Sequence, residues 1–500
     1  MNLSENIRRY IDAGFPILYI NSFEEREMDK NIKEAVGKSG GVEKILEWNG
    51  VGGFVDFETK GSFHMQDSSL SGTLNFLLDG NELMDNVLVL KDAAPLLSEP
   101  DVVSVLRGIA ERICSGELAC TVIIESVIRT IPAELEPYIT ILEIDYLTTA
   151  EIKGIIQEFV SQQEAEISME LLDEMAIAFK GLSRFEIENL LALSYQDDGE
   201  LTREDLQLIF EQKRQMVMKS GILEMIPLKE SLEDIGGLEN LKKWLRRKAV
   251  VLKNVDRAVE FGVDIPKGVL IAGIPGCGKS LNAKAAAKLF EVPLLRLDMG
   301  RLMGKYIGES EENMRKAIKM AEAIAPCVLW VDELEKAFAG VSGDGGDSGV
   351  TTRLFGNFLT WLQEKDSPVF VVATANDISK LPPELLRKGR FDEIFYVGLP
   401  NKTEREKIFE IHIGKRRSKD LSNIDISRLV DKTDGYSGAD IEGVVKESIE
   451  TVYSDGRNAL RTEDILTVIK NTHSLKELLA DSLKTMTEVY EKGNFKKASL

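Results

Sequence analysis

One glycine-rich loop, placed between a strand pattern and a helix pattern, constrains the fold of this chain most strongly. The apolar run VLIA covers residues 269–272, the loop GIPGCGKS follows at 273–280, and the alanine-rich stretch LNAKAAAKLF continues from 281. The loop fits the pattern G-x-x-x-x-G-K-S, in which backbone N–H groups at a helix N-terminus curl around phosphates. We therefore predict a phosphate-binding site whose residues are contiguous in sequence. They are Pro275, Gly276, Cys277, Gly278, Lys279, Ser280 and Leu281.

An acidic pair follows another apolar run, in VLWVDELEK at 328–336. In a parallel sheet the carboxyl ends of the strands meet at the ligand crevice. We expect Asp332 to bind Mg²⁺ together with the Ser280 hydroxyl, while Lys279 neutralises the β- and γ-phosphates of a nucleotide. Glu333 is then placed to act as the catalytic base that deprotonates the attacking water.

A third apolar strand, VFVVATAND at 369–377, ends in Asn376. An amide at this edge of the sheet can hold the same water through hydrogen bonds. Taken alone, Asn376 would more simply be an ordinary turn residue. Its place beside the two other motifs favours a role in orienting water.

Short apolar runs alternate with helix-patterned stretches along most of the chain. Strand-sized examples cover 17–20, 87–90, 121–124, 328–331 and 369–373. Short buried strands separated by helices predict an α/β fold with a mostly parallel sheet. From about 150 to 215, and again after about 401, only helical periodicity remains, and this pattern predicts two helical bundles.

The two halves of the chain contain similar pieces in the same order. The stretch TVIIESVIRTIPAELEP at 121–137 matches VVATANDISKLPPELLR at 371–387 in residue type, and GLSRFEIENL at 181–190 matches GYSGADIEGV at 435–444. We infer a degraded duplication. The first copy continues from its strand at 17–20 with NSFEEREMDK, which has neither a glycine loop nor a Lys-Ser pair. It should therefore be unable to hydrolyse a nucleotide.

The predicted organisation is a P-loop NTPase sheet with a C-terminal helical lid, preceded by a degenerate α/β module with its own helical bundle. In the degenerate module Lys91 and Asp92 take the places of Asp332 and Glu333. The predicted boundaries are 1–150 for the degenerate module, 151–215 for its bundle, 216–232 for a linker, 233–400 for the NTPase sheet, and 401–500 for the lid and tail.

The composition disfavours several other classes of protein. Basic residues number 62 and acidic residues 83, so the net charge is −21. Such a chain repels phosphate backbones, so nucleic acid is a disfavoured partner. The basic clusters at 246–248 and 415–417 are the features that would support a nucleic-acid motor as an alternative.

The apolar runs are much shorter than the about 20 residues of a membrane span. The four cysteines form no CxxC pair. We expect a soluble, cytoplasmic protein with no membrane span and no zinc site.

The second half of the chain resembles the AAA+ ATPases, and within them the clade of membrane-fusion, microtubule-severing and proteasomal ATPases. Besides the phosphate loop and the acidic strand, the resemblance rests on LEDIGGLENLK at 232–242 and LLRKGRFDE at 385–393. It implies that the nucleotide is ATP, that Ile235 and Gly236 line the adenine pocket, and that Asn376 is the residue called sensor 1.

The same resemblance assigns roles to residues outside the phosphate loop. It places His412, in IFEIHIGK, near the ribose, and it gives Gly438 and Ala439 of the G-A-D sequence the position of a second sensor. It also implies that Arg387 and Arg390 are arginine fingers, which act on the ATP of a neighbouring subunit. An arginine that acts in trans requires an oligomer, and the family implies a hexamer.

The segment GRLMGKYIGESEENMRKA at 300–317 resembles the first pore loop of these ATPases and its following helix. Lys305 and Tyr306 stand where the family carries a pore aromatic, which grips extended polypeptide by contact area. Packing of Tyr306 at a subunit interface is the alternative.

The chain as a whole resembles the AAA ATPases of the hypothetical chloroplast reading frame family, which occur in bacteria and plastids, so a plastid-encoded chain would lie in the stroma. The implied function is ATP hydrolysis by a homo-oligomeric ring, coupled to remodelling or partial unfolding of a protein client. A regulatory scaffold that binds partners under nucleotide control, without moving them, is the alternative.

Overall fold

The computed structural model describes residues 3–22, 24–65, 67–126, 130–142, 144, 146–219, 221–302, 309–338, 348–387, 389–478, 480–493 and 495–500. The chain divides into two compact units. The first contains Met1–Leu147 with Ser183–Asn189, and the second contains Thr148–Leu182 with Leu190–Leu500. Both units are α/β structures built around a largely parallel sheet, as predicted.

The first unit has a six-stranded sheet with the order β3-β2-β4-β5-β1-β6. All pairings are parallel except the hairpin of β2 and β3. Apolar side chains cover both faces of the sheet, because the central strands are buried on both sides. The strands are β1 (Ile17–Asn21), β2 (Lys44–Asn49), β3 (Gly53–Asp56), β4 (Asn86–Lys91), β5 (Cys120–Ser126) and β6 (Ile139–Leu142), and the helices are α1 (Leu3–Asp12), α2 (Glu25–Gly37), α3 (Leu70–Asp79) and α4 (Pro100–Cys114).

Four helices follow, where the sequence shows helical periodicity alone. They are α5 (Thr149–Gln162), α6 (Met169–Phe179), α7 (Arg184–Asp198) and α8 (Asp205–Lys219). A capping box formed by Thr148 and Glu151 begins α5. Apart from the first turns of α7, these helices belong to the second compact unit, whereas the sequence analysis had grouped them with the first module.

The second unit has a seven-stranded sheet with the order β13-β12-β8-β11-β10-β9-β7. All pairings are parallel except that of β7 with β9. Strand β7 lies inside the segment 216–232, which was predicted to be a linker. Its sequence LEMI forms a strand because alternate residues are buried and its backbone pairs with β9. The strands are β7 (Leu223–Ile226), β8 (Gly268–Gly273), β9 (Leu294–Leu297), β10 (Cys327–Val331), β11 (Val369–Ala375), β12 (Glu393–Val397) and β13 (Lys496–Lys497).

Helices cover this sheet, and a helical lid follows it. The helices that accompany the sheet are α9 (Glu239–Leu252), α10 (Val255–Glu260), α11 (Lys279–Phe290), α12 (Met299–Leu302), α13 (Glu309–Ile324) and α14 (Ser348–Glu364). Those after the sheet are α15 (Lys402–Arg417), α16 (Ile426–Asp431), α17 (Gly438–Ser454), α18 (Thr462–Asn471), α19 (Leu475–Leu478) and α20 (Ala480–Lys492). Helices α15 to α18 share an apolar core of their own. Among the described residues, none of the helices combines the length and the apolar character that a bilayer span requires.

Short 3-10 helices connect several of these elements. They cover Ala94–Ser98, Glu136–Tyr138, Leu232–Asp234, Leu334–Phe338, Ile378–Lys380, Pro383–Leu386 and Leu421–Asn423.

The two sheets share one topology. If the five parallel core strands of each unit are numbered along the chain, both sheets run in the order 5-1-4-3-2, as β6-β1-β5-β4-β2 and as β12-β8-β11-β10-β9. This agreement supports the duplication inferred from the sequence. It also means that the carboxyl ends of β1, β4 and β5 correspond in position to those of β8, β10 and β11.

Candidate active site

The phosphate loop leaves β8 and turns directly into α11. Gly276 and Gly278 adopt left-handed backbone conformations, with φ of 74° and 85°, which glycine reaches at little cost. Lys279 is buried, and its Nζ donates hydrogen bonds of 2.8 Å to the carbonyl oxygens of Gly273 and Ile274. Burial lowers the pKa of Lys279 to about 8. The loop therefore holds the Lys279 ammonium at the helix N-terminus, where phosphate would bind.

Asp332 follows β10 and lies beside the phosphate loop. Its Oδ1 atom accepts a hydrogen bond of 3.0 Å from the Ser280 hydroxyl and one of 2.5 Å from the Thr374 hydroxyl. The two oxygens that were predicted to bind Mg²⁺ are thus neighbours, although they come from different elements. Carboxylate and hydroxyl oxygens are the hard ligands that this ion prefers, so the donor set fits it.

Glu333 and Asn376 meet at the carboxyl ends of β10 and β11. Glu333 has a left-handed backbone, with φ of 50°, which is uncommon for a residue with a side chain. Asn376 Nδ2 lies 3.3 Å from Glu333 Oε1 and 3.0 Å from Glu335 Oε1, and the latter oxygen also accepts the Asn376 backbone N–H at 3.0 Å. Two carboxylates therefore hold the amide that was predicted to orient water.

One cavity of about 440 Å³ joins these groups to the lid, a size that suits a small-molecule ligand. Its wall contains most of the residues that were predicted from the sequence. They are Ile235, Gly236, Pro275, Gly276, Cys277, Gly278, Lys279, Ser280, Leu281, Asp332, Glu333, Asn376, His412, Gly438 and Ala439. Burial raises the pKa of the Cys277 thiol to about 12, so this side chain stays protonated and fills the loop.

The lid closes the end of the cavity that was predicted to receive adenine. A Cβ atom on Gly236 would lie 2.4 Å from Ile408 Cγ1 of α15, so the backbone approaches the lid too closely for any side chain. The Leu238 N–H donates a 3.0 Å hydrogen bond to Glu404 Oε1 on the same helix. On lid helix α17, the Ala439 N–H donates a hydrogen bond to the Gly276 carbonyl at 2.9 Å. The lid thus contacts both the adenine end and the phosphate loop.

His412 lies on α15 within the same wall and is half-buried. Burial lowers the pKa of His412 below its usual value, so the ring is neutral at pH 7. A neutral imidazole can exchange hydrogen bonds with a sugar hydroxyl.

Four predicted residues are not placed in this wall. Arg387 is exposed and Arg390 is half-buried just beyond the 3-10 helix Pro383–Leu386, and neither lines the cavity of its own chain. Lys305 and Tyr306 lie outside the described residues.

Among the site residues that the sequence analysis missed, three hold other parts of the site by hydrogen bonds. Thr374 donates to Asp332 and accepts the Glu333 backbone N–H at 3.0 Å. Glu335 is buried and holds Asn376, and Glu404 holds the adenine-end loop. The hydroxyl of Thr374 inside the otherwise apolar run VFVVATA was the one signal that could have been noticed.

Comparison with known proteins places this geometry in a family. The model for the ATPase family associated with various cellular activities (AAA) matches residues 269–399, and that for the AAA+ lid domain matches 423–467. The models for the N-terminal and second domains of SpoVK-like AAA ATPases match residues 3–144 and 150–220. The uncharacterized AAA domain-containing protein ycf46 of Pyropia yezoensis is 36% identical over 500 residues, which is 100% of both chains.

The chain belongs to the AAA ATPase family. The ycf46 protein of Guillardia theta is similarly related, with 38% identity over 100% of this chain and 97% of that protein. A cell division cycle protein 48 homolog of Archaeoglobus fulgidus is 31% identical over 70% of this chain and 48% of its own length. Family membership makes the chain an ATPase that binds ATP.

The first unit of this AAA ATPase has a lysine in place of an aspartate at the equivalent sheet edge. Asp92, with φ of 57°, has the left-handed backbone of Glu333, so Lys91 stands where Asp332 stands in the second unit. Lys91 pairs in register with Glu125 of the neighbouring strand. Its Nζ lies 2.7 Å from Asp29 Oδ1 on α2 and 3.6 Å from Glu47 Oε2 on β2. A lysine ammonium, surrounded by carboxylates, therefore occupies the position that the Asp332 carboxylate has in the second unit.

Proposed function

We propose that this AAA ATPase hydrolyses ATP with Mg²⁺ at the cavity between the phosphate loop and the lid, as a ring of copies that remodels a protein client. One observation carries the proposal. Residues from separate stretches, the loop at 275–281, the acidic pair at 332–333 and Asn376, line one cavity in the arrangement that phosphoryl transfer to water requires.

Binding would use groups that the chain already aims at the phosphates. The loop amides and the Lys279 ammonium face the position of the β- and γ-phosphates, and Lys279 would exchange its two carbonyl partners for phosphate oxygens. Ser280 and Asp332 would hold Mg²⁺. When bound, the ion supplies positive charge that offsets the charge developing on the phosphates.

Hydrolysis would use the acidic and amide groups at the carboxyl ends of β10 and β11. Glu333 accepts the proton of the attacking water, and Asn376 donates a hydrogen bond that keeps this water in line. The 3.3 Å contact between Asn376 Nδ2 and Glu333 Oε1 supports this pairing, because one water can touch both groups.

A Glu333→Gln variant tests the assignment of the base. It should bind ATP with nearly unchanged affinity, whereas turnover should fall by about 100-fold or more, the usual contribution of a general base. Glu364→Gln, which makes the same change at an exposed position, is the matched control. Wild-type turnover in Glu333→Gln would reject the assignment.

The proposed ring rests on Arg387 and Arg390, which do not line the cavity of their own chain. If they complete the site of a neighbour, a mixture of two inactive variants should regain activity. Glu333→Gln keeps both arginines, and Arg387→Ala/Arg390→Ala keeps the base, so mixed rings would contain some complete sites. No recovery on mixing, with co-assembly shown by light scattering, would place the arginines outside the reaction. Light scattering also gives the number of copies in the ring, which we propose to be six.

The proposed client is a protein, and Lys305 with Tyr306 are the residues proposed to contact it. Clients retained by Glu333→Gln with ATP can be identified first, and their ATP-dependent loss of protease resistance can then be measured. Tyr306→Ala should abolish that unfolding while ATP turnover and assembly persist. Unfolding that survives in Tyr306→Ala would favour the regulatory scaffold instead.

We propose the cytoplasm as the compartment, or the stroma for a plastid-encoded chain.

A further inference from the structure

A short extended segment at 496–499 completes the edge of the second sheet. Lys496 and Lys497 pair in register with Phe395 and Tyr396 of β12. The Ala498 N–H donates a 2.9 Å hydrogen bond to the Tyr396 carbonyl and so extends this ladder by one residue. Ala498 is fully buried in the apolar core beneath α9 and α11. The segment is therefore an integral part of the sheet.

The same segment caps α9. The N-cap residue of this helix is Leu238, whose side chain has no oxygen to accept the free N–H groups of the first turn. The Ala498 carbonyl accepts those N–H groups instead, at 3.0 Å from Asn240 N and 3.3 Å from Leu241 N. These are the second and third helical residues, the two that an N-cap side chain normally serves.

Asn240 makes a second connection to the segment. Its Nδ2 donates to the Ser499 carbonyl at 2.6 Å and to the Lys497 carbonyl at 3.2 Å. One side chain thus holds the carbonyls on both sides of Ala498. These bonds fix the position of the cap relative to the helix.

The two elements that the segment contacts, α9 and β12, each adjoin residues that line the cavity. Leu238 and Ile235, which directly precede α9, line the cavity at its adenine end. At the end of β12, the Val397 carbonyl accepts the Ile274 N–H of the phosphate loop at 3.0 Å, and Gly398 follows in the wall. The segment therefore contacts the two elements that carry the adenine-end loop and the strand beside the phosphate loop.

We propose that residues 496–499 are a positioning element of the nucleotide site, in which the Ala498 carbonyl caps α9 and Asn240 holds that cap. The capped helix keeps the loop at 234–238 in the shape that receives the base of the nucleotide. Loss of the cap weakens nucleotide binding although every group aimed at the phosphates remains. The inference rests on the proposed placement of adenine in this cavity.

Two variants of the full chain test this role. Asn240→Ala removes the side-chain donors, and deletion of residues 496–500 removes the cap itself. The dissociation constant of a fluorescent ADP analogue and the KM for ATP should rise about tenfold in the deletion and less in Asn240→Ala, whereas kcat stays within about twofold. Asn254→Ala is the matched control, because Asn254 is the N-cap residue of α10 but makes no side-chain cap bond.

A peptide and an exchange measurement separate positioning from general damage. A peptide with the sequence of residues 495–500, added to the deletion variant, should restore nucleotide affinity. Hydrogen exchange without nucleotide should show loss of protection at Asn240 and Leu241 in the deletion. Unchanged nucleotide affinity in the deletion, with that protection lost, would overturn the inference. Failure of the wild type to bind nucleotide would instead reject the proposed function.

Discussion

Thr374 and Asp332 are joined by a 2.5 Å hydrogen bond from the threonine hydroxyl to the carboxylate, at the point where β11 and β10 end. The same hydroxyl accepts the Glu333 backbone N–H at 3.0 Å. One buried oxygen on the neighbouring strand therefore orients both acidic residues of the site, the proposed metal ligand through its side chain and the proposed base through its backbone.

Replacing Thr374 by valine should slow ATP hydrolysis by about 10- to 100-fold, because the shape is kept while Asp332 and the Glu333 backbone each lose a partner. Nucleotide affinity should change much less, since the phosphate loop is untouched. Steady-state turnover and ADP-analogue binding measure the two effects. Thr467→Val, the same change on α18, is the control, and equal turnover in the two variants would deny Thr374 this role.

Nucleotide affinity should fall as the pH rises through about 8. Burial lowers the pKa of Lys279 to about 8, so in the free protein its ammonium is present below that pH and is lost above it. Bound phosphate stabilises the charged form, and binding near pH 8 must therefore take up a proton. Calorimetry in two buffers of different ionisation enthalpy measures this uptake, which should be near zero at pH 6.5. Binding without proton uptake at pH 8 would show that Lys279 does not titrate there.

The sequence analysis predicted those parts of the site whose residues are contiguous. The phosphate loop and the acidic pair each reside in a single motif. The apolar runs located three strands of each sheet, which are β1, β4 and β5 in the first unit and β8, β10 and β11 in the second. The hydroxyl of Thr374 stands out in its apolar strand, but neither its partners nor those of Glu335 could be predicted, because they depend on which strands and turns are neighbours in space. The sheet order 5-1-4-3-2 supplies that information, and no local pattern contains it.

The other features that the sequence analysis did not predict are a short strand and a contact between residues distant in sequence. Strand β7 has only four residues, and its sequence LEMI resembles an ordinary connection until β9 is placed beside it. The contact of Asn240 with Ser499 joins two residues that are 259 positions apart in the sequence. Neither residue type signals such a bond, so only the fold reveals it.

Lys91→Met should destabilise the first unit by about 3 kcal/mol, the usual cost of removing one partner of a buried ion pair. Burial opposes the charge of Lys91, yet the hydrogen bond to Asp29 and the charges of Asp29 and Glu47 raise its pKa overall. Without the lysine, the one close cation left to these two carboxylates among the described residues is Lys60. Hydrogen exchange of the β4 and β5 amides under native conditions measures the loss. Lys33→Met, at an exposed ion pair, should change stability by well under 1 kcal/mol.

Glu125→Gln should remove a pH dependence from the stability of the first unit. Burial raises the pKa of Glu125 to about 8 from the ordinary 4.5 of a glutamate; the positive charge of Lys91 lowers it in part, and the carboxylates of Asp29, Glu25 and Glu47 raise it further. Neither carboxylate oxygen has a hydrogen-bond partner among the described residues. Between these two pKa values the folded state binds the proton and the unfolded state does not. Stability is therefore lost as the pH rises from about 4.5 to about 8.

One pKa unit corresponds to about 1.4 kcal/mol, and roughly three units of the shift lie between pH 5 and pH 9, so the loss over this range should be on the order of 4 kcal/mol. Because glutamine stays neutral, Glu125→Gln should show a flatter profile and exceed the wild type in stability at pH 9. Exchange rates of the β1 and β5 amides across this pH range, corrected for intrinsic exchange, give the local free energy of unfolding. Glu82→Gln, at an exposed position of the same unit, should keep the wild-type slope. An unchanged slope in Glu125→Gln would mean that Glu125 is already ionised at pH 7, because Lys91 stabilises its charge together with those of Asp29 and Glu47.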